Sequence, residues 1–401
     1  MGNPISKKAS STQQSVVSHA FFALFNDKYL FVVLFMFQGT KLFMLDVFRS
    51  SSNLLKTFTG HNGYLNSIDC LTLDCGQFIC SGSADKTVRI WNVDINKQIQ
   101  SFNGHSNYVY CAKFSQYYHY NNHRIVVCSS ANDKTIRFWD IKDNQQLQVF
   151  NGHQYGICSI EFSPFNGGRY LCSGSFDNTT HLWDVETSKS LHIFRGHSDT
   201  VRCVDISPLQ SNNNSKSDYD KNSKIGLIGG NGYTICSGSF DKTICVWDIE
   251  TTRQFITFRG HEDWIRSVKY GSNELINTIL SGSNDSSVRL WDIRSGQQIQ
   301  MFNGHTNVVN AVEFSPFVVS NIKIGGHSNV ICSGSIDNTI RFWDIRSNKI
   351  ALHIINGDDE NDGIMCLKFV QIIKNRKSNN YSGCDINLYY GSKDGSIHIW
   401  G

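Results

Sequence analysis

The chain has 401 residues, with 37 Lys and Arg against 34 Asp and Glu, a formal net charge of +3. So even a balance, with no basic block, argues against direct binding of nucleic acid. Thirteen Cys raise the question of metal sites or disulfides, but no C-x2-C pair occurs. An odd number of unpaired thiols fits a reducing compartment, cytoplasmic or nuclear.

The amino terminus comes first in chain order. Met1-Gly2-Asn3-Pro4-Ile5-Ser6 fits the N-myristoylation pattern, with Gly2 as acceptor and Lys7-Lys8 placed to assist on an anionic membrane. Ala20 to Phe48 is rich in Phe, Leu and Val, but Asn26-Asp27-Lys28 interrupts it. Its longest clean run, Tyr29 to Phe37, is too short to cross ~30 Å of hydrocarbon as a helix. Lys41 to Val47 mimics the third strand of the repeat described next, with Leu45 in the Trp position. Residues 1–52 therefore read as a tail holding a decayed partial repeat; a tail that tethers the protein to a membrane is the alternative.

From residue 53 onward one unit recurs. Its marks are Trp91-Asn92, Trp139-Asp140, Trp183-Asp184, Trp247-Asp248, Trp291-Asp292, Trp343-Asp344 and Trp400-Gly401, which take seven of the eight Trp in the chain. The Trp residues lie between 44 positions apart (Trp139 to Trp183) and 64 (Trp183 to Trp247). A Gly-His pair opens six of the units, at His61, His105, His153, His197, His261 and His305. Within one unit, 152–195, four short β-rich runs alternate with turns such as Phe176-Asp177-Asn178. A period of this size with these marks reads as a four-stranded propeller blade. The expected fold is all-β: seven four-stranded antiparallel blades over 53–401, starting near residues 60, 104, 152, 196, 260, 304 and 357. The last unit stops at its third strand. The run Asn53 to Phe58 supplies the missing fourth, joining the chain ends and removing an open sheet edge.

The Gly-His and Trp-Asp units resemble the WD40 family, typified by G-protein β subunits. That resemblance implies a hydrogen-bonded tetrad of His, turn Asp, second-strand Ser and Trp inside each blade. In the third blade it would be His153, Asp177, Ser173 and Trp183. The other blades offer His61/Asp85/Trp91, His105/Asp133/Trp139, His197/Asp241/Trp247, His261/Asp285/Trp291 and His305/Asp337/Trp343. The seventh keeps Asp394 and Trp400 but has Asp358 in place of His. Such His-Asp pairs look catalytic singly, yet their repetition at blade spacing marks them as architecture. The Cys residues fit the same frame. Cys80, Cys128, Cys172, Cys236 and Cys332 precede the Ser-Gly-Ser or Ser-Ser of successive units, with Leu280 and Tyr390 in that slot elsewhere, so the slot reads as buried.

Function is then expected on the faces. Insertions at 116–124, 210–233, 317–329 and 371–387 all fall between the first and second strands, which places them on one face. The polar stretch 211–224 reads as disordered. The opposite, compact face is the expected partner surface. The resemblance implies that the residue five after each His lines the channel mouth: Asn66, Tyr110, Cys158, Arg202, Arg266 and Asn310. Arg202 and Arg266 form a positive corner able to hold carboxylates or phosphates. Tyr64, Tyr108, Tyr155 and Trp264 lie in the neighbouring loops, and aromatic residues with Arg form hot-spot composition. The stretch around Tyr110 is similar to a blade of the WD40 subunit of histone methyltransferase complexes, which clamps a peptide arginine between aromatics; Asn310 stands where a second aromatic is needed. The Arg pair is similar to that of phosphopeptide-reading ubiquitin-ligase adaptors, without an F-box-like region ahead of it. The sequence holds no G-x-S-x-G, H-E-x-x-H or P-loop spacing for a propeller enzyme. The expectation is a scaffold with no enzymatic activity, cofactor or metal, acting as a monomer within a larger complex, with proteins or peptides as partners and membrane association through the N-terminus as an added possibility.

Overall fold

The computed structural model describes residues 43–73, 76–207, 233–272, 275–318, 329–347, 350–357, 363–372 and 386–401. Gly2, Lys7 and Lys8, the apolar stretch up to residue 42, the polar insertion 211–224 and Asp358 lie outside the described residues.

The described residues form seven four-stranded antiparallel sheets, besides one two-stranded parallel pair. In blade 3 the strands are Ile157–Phe162, Tyr170–Ser175, Thr179–Asp184 and Lys189–Arg195, called a to d. In blades 1 to 6 the strands follow one another in sequence; in blade 7 the order is Leu54–Phe58, Ile397–Trp400, Ile386–Ser392, Ile364–Gln371. The strand that opens the propeller thus completes its last blade, as the sequence implied. Leu54 pairs with Trp400 and Phe58 with Ile397. The Asn53 N–H donates to the Gly401 carbonyl at 3.3 Å, and the Gly401 N–H returns a bond to Asn53 at 3.2 Å. The two chain ends share one ladder, so the edge of Ile397–Trp400 is paired and Leu54–Phe58 stands as the outer strand of the blade.

Burial follows from the stacking of sheets. Strand b of blades 2, 4, 5 and 6 is buried at every position, because neighbouring blades cover both of its faces. The outer strand d of blade 3 buries only Phe194. That Phe is part of a repeated contact between blades. Phe58, Phe102, Phe150, Phe194, Phe258 and Phe302 each lie 5.2–5.8 Å from the Trp of the next blade. Each such aromatic pair adds about 0.5–1.5 kcal/mol beyond its buried area. The Gly of Gly-His leaves room for this Trp: a Cβ on Gly152 would lie 2.9 Å from the Trp183 ring.

Two sequence expectations change. Of the run Lys41 to Val47, the described part is not a third strand: Phe43–Met44 is extended, and Leu45–Ser51 forms helix α1. Leu45 and Phe48, three positions apart, bury one helical face, and that packing overrides the strand-like alternation. Tyr390 is also not in the Cys slot. Register pairs Leu367 with Tyr390 as it pairs Ile68 with Ser81, so Tyr390 occupies the tetrad Ser position and Tyr389 the Cys slot.

Candidate functional site at the channel mouth

The tetrads form in all six blades that carry the His. In blade 3, His153 Nδ1 is 2.8 Å from Asp177 Oδ2, His153 Nε2 is 2.8 Å from Ser173 Oγ, and Trp183 Nε1 donates to the same Oγ at 2.8 Å. The serines of blades 1, 2, 4, 5 and 6 are Ser81, Ser129, Ser237, Ser281 and Ser333. A carboxylate accepts only, so the shared proton belongs to Nδ1, the Ser hydroxyl donates to Nε2, and both imidazole nitrogens and the indole N–H of the tetrad are satisfied. Thr179 adds a fifth member, its hydroxyl 2.5 Å from Asp177 Oδ1. Burial pushes the Asp177 carboxyl up, but His153 and Thr179 outweigh it and hold the group well below the usual carboxylate range.

Blade 7 differs. Tyr390 stacks on His398 at 4.7 Å, and Trp400 Nε1 has no hydrogen-bond partner among the described residues. Asp394 bonds Ser392 and Ser396 instead.

The tetrad bonds tie the d–a and b–c loops to one face. Tyr64, Tyr108 and Trp264 each accept a backbone bond from the b–c turn of their own blade, at Ala84, Asn132 and Asn284. Tyr155 does not share that slot: Gly156 holds it, accepting from Phe176. A Cβ at Gly156 would lie 2.2 Å from Asn132 Oδ1, so a Tyr cannot stand there. Tyr155 projects from the rim one residue earlier and is 60% exposed, with Lys134 over its ring.

Asn66, Tyr110, Cys158, Arg202, Arg266 and Asn310 do line one channel, joined by Met365 from blade 7, which the sequence reading missed. Arg202 and Arg266 stand at the start of strand a in blades 4 and 5 (Val201–Ile206 and Ile265–Tyr270). Arg202 Nη1 donates to the Cys158 carbonyl at 3.2 Å and its guanidinium covers the Tyr110 ring at 5.5 Å. Tyr110 in turn leans on Phe176. Arg266 Nε donates to Asn284 Oδ1 at 2.6 Å, beside the Phe240 and Trp264 rings at 5.4 and 5.5 Å. Those two rings stack at 4.1 Å and 10°. Each guanidinium is therefore pinned at one end and backed by aromatic faces, with its other N–H donors unused by any carboxylate among the described residues. Burial, followed by the charge of Arg202, lowers Arg266 to about 10.

A second ring absent from the sequence reading follows along the a strands: Lys113, Glu161, Lys269, Glu313 and Lys368 line the channel, and Asp69 and Asp205 hold the same register position in blades 1 and 4. Each pairs in register with the Cys slot of strand b. In blades 1 to 6 these residues stand eight after the repeat His, a signal that a search at fixed spacing would have found. Glu161 Oε2 lies 2.7 Å from Lys113 and 3.4 Å from Lys269, and Lys368 lies 3.7 Å from Asp69. Asp205 accepts the Tyr270 N–H at 2.7 Å. Four carboxylates face three ammonium groups, so the ring compensates most of its own charge.

Among the described residues one group has metal-ligand proximity: His153, Asp177 and His181. Both His153 nitrogens are already committed to Asp177 and Ser173, so this cluster is a tetrad with a neighbour. Burial and then the adjacent His153 hold His181 down at about 3. The eleven described Cys are all unpaired.

Comparison with known proteins fits this geometry. The model of the WD domain, G-beta repeat, matches residues 52–92, 96–140, 144–184, 188–248, 252–292 and 296–344. The chain is 32% identical over 137 residues to cell division control protein 4 of Saccharomyces cerevisiae, covering 31% of this chain and 18% of that protein. It is 43% identical over 44 residues to the lissencephaly-1 homolog of Dictyostelium discoideum, covering 11% of this chain and 10% of that protein. The chain thus spans less than a fifth of either relative. Six matched repeats and seven closed blades make the chain a member of the WD40 family, the WD domain with G-beta repeats.

Proposed function

We propose that this protein is a non-enzymatic scaffold that engages protein or peptide partners on the mouth face and assembles them into a larger complex. Propellers of this family bind proteins or peptides, and the repeat His and turn Asp of blades 1 to 6 are spent on the tetrads. The observation that carries the reading is the pair Arg202 and Arg266. Two guanidiniums share a concave centre and repel one another; Asp263 offsets this at Arg266 in part, and neither Arg makes a direct ion pair among the described residues. An anionic side chain of a partner would relieve that repulsion through bidentate bonds. Tyr108 and Trp264, exposed beside the corner, supply rigid apolar contact area. A peptide-arginine clamp is disfavoured, since Arg202 of the chain itself covers Tyr110.

The test is an affinity pulldown from source lysate with Arg202→Glu and Arg266→Glu. The scaffold reading with an Arg corner expects loss of specific partners while the fold, followed by circular dichroism, is kept; an unchanged partner set with an intact fold overturns it. Membrane tethering through Gly2 is a separate proposal. Equal soluble fractions of wild type and Gly2→Ala would dismiss it.

A further inference from the structure

We infer that residues 43–51 are a strap which keys blade 6 to blade 7 and reinforces, by packing, the ring closure at the blade that lacks a tetrad. Blade 7 is the one blade joined by two separate stretches of chain. It is also the blade where Tyr390 replaces the tetrad Ser and the Trp400 indole N–H lacks a partner among the described residues. Its outer strand, Leu54–Phe58, is held by ladder bonds to Ile397–Trp400 alone on its inner side. The strap lies immediately before that strand and belongs to no repeat.

Its contacts cross the seam. Phe43–Met44 pairs in parallel with Phe317–Val318, just after strand a of blade 6. Helix α1 then buries Leu45 and Phe48 fully. The Phe48 ring lies 4.8 Å from Phe317 and 5.9 Å from Phe342 of blade 6, and both of those rings touch Phe369 of blade 7. Leu45 and Phe48 share one apolar cluster with Ile340 and Ile355 of blade 6 and Leu367, Leu388 and Tyr390 of blade 7. The Ser52 N–H closes the helix onto the Phe48 carbonyl at 2.8 Å, and the ladder to Gly401 starts at the next residue. A pull or a competing contact on the chain before residue 43 would therefore load ring closure first and the other six blades later.

Hydrogen–deuterium exchange on the full chain tests this. Phe48→Ala should accelerate exchange in 54–58 and 386–400 by about 10²- to 10³-fold, given the usual cost of emptying a buried Phe site. Blades 2 to 4 should hold their wild-type rates, and Phe48→Leu should fall between. Val47→Ala, at a 43% exposed position of the same helix, should change nothing. Should Phe48→Ala not fold, Phe48→Leu alone decides the matter. Phe48 variants that behave like Val47→Ala, or that speed exchange equally in every blade, overturn the strap.

Discussion

Ser173→Ala is the sharpest probe of the blade architecture. Ser173 Oγ accepts from Trp183 Nε1 and donates to His153 Nε2, both at 2.8 Å, and the residue is fully buried. Alanine fits the same space, so no clash arises and no cavity larger than one oxygen opens. The substitution instead leaves two buried polar atoms without partners. At about 1–3 kcal/mol for each orphaned group, the expected loss is about 2–6 kcal/mol. The His153–Asp177 bond survives, which favours the lower half of that range. Urea unfolding of the full chain, compared with Ser101→Ala on an outer strand, gives the difference from the shift in midpoint. A loss under about 0.5 kcal/mol, the scatter of neutral surface changes, would refute the claim that these buried bonds hold each blade.

Blade 7 supplies a contrasting case. Trp400→Phe removes an indole N–H that has no partner among the described residues, so it should cost clearly less in the same unfolding assay than Trp183→Phe, which takes from Ser173 Oγ the N–H it accepts. The deep channel ring predicts a pH effect of defined sign. Burial raises the Asp205 carboxyl, Lys269 opposes this and Glu161 adds to it. The folded chain then holds this proton more tightly than the unfolded chain does. Its stabilising contribution is complete below the unfolded value of ~3.9 and is lost as pH rises through the raised one. Asp205→Asn should therefore match or exceed wild type near neutral pH and lag behind it in acid; unfolding midpoints across the pH range would show this. The tetrad carboxylates such as Asp177, held low, act with the opposite sign, and the comparison of variant with wild type cancels them.

What the sequence disclosed and what it hid divide along one line. The tetrads were legible because every member occupies a fixed slot relative to Trp or Gly-His. Ring closure was legible because the last unit lacks a strand and residues 53–58 offer one. Tyr390 was misplaced because the Cys slot was counted back from a Ser-Gly-Ser that blade 7 does not have. Tyr155 was misaligned because its loop carries Gly156 where the loops of blades 1 and 2 carry Tyr64 and Tyr108. The strap was read as a strand because apolar alternation in seven residues does not distinguish a strand from a short helix; Phe317, Phe342 and Phe369, each far along the chain, decide it. The charged ring stayed hidden because its residue types vary between units while its position does not. The Arg corner was named from the position the family resemblance assigns to the channel mouth, but its aromatic backing by Phe176 and Phe240 depends on b–c turns of neighbouring units, which only the folded ring brings together.

The central claim is that partners engage the mouth face. Photo-crosslinking in source cells tests it most directly, with a photoreactive residue placed in turn at Tyr108, at Trp264, and at Tyr120 on α2 (Gln116–Asn122) of the opposite face. The account predicts discrete protein adducts from Tyr108 and Trp264, lost when Arg202→Glu and Arg266→Glu are added, and none of these from Tyr120. Adducts from Tyr120 alone, or mouth adducts indifferent to the two Arg substitutions, would contradict it.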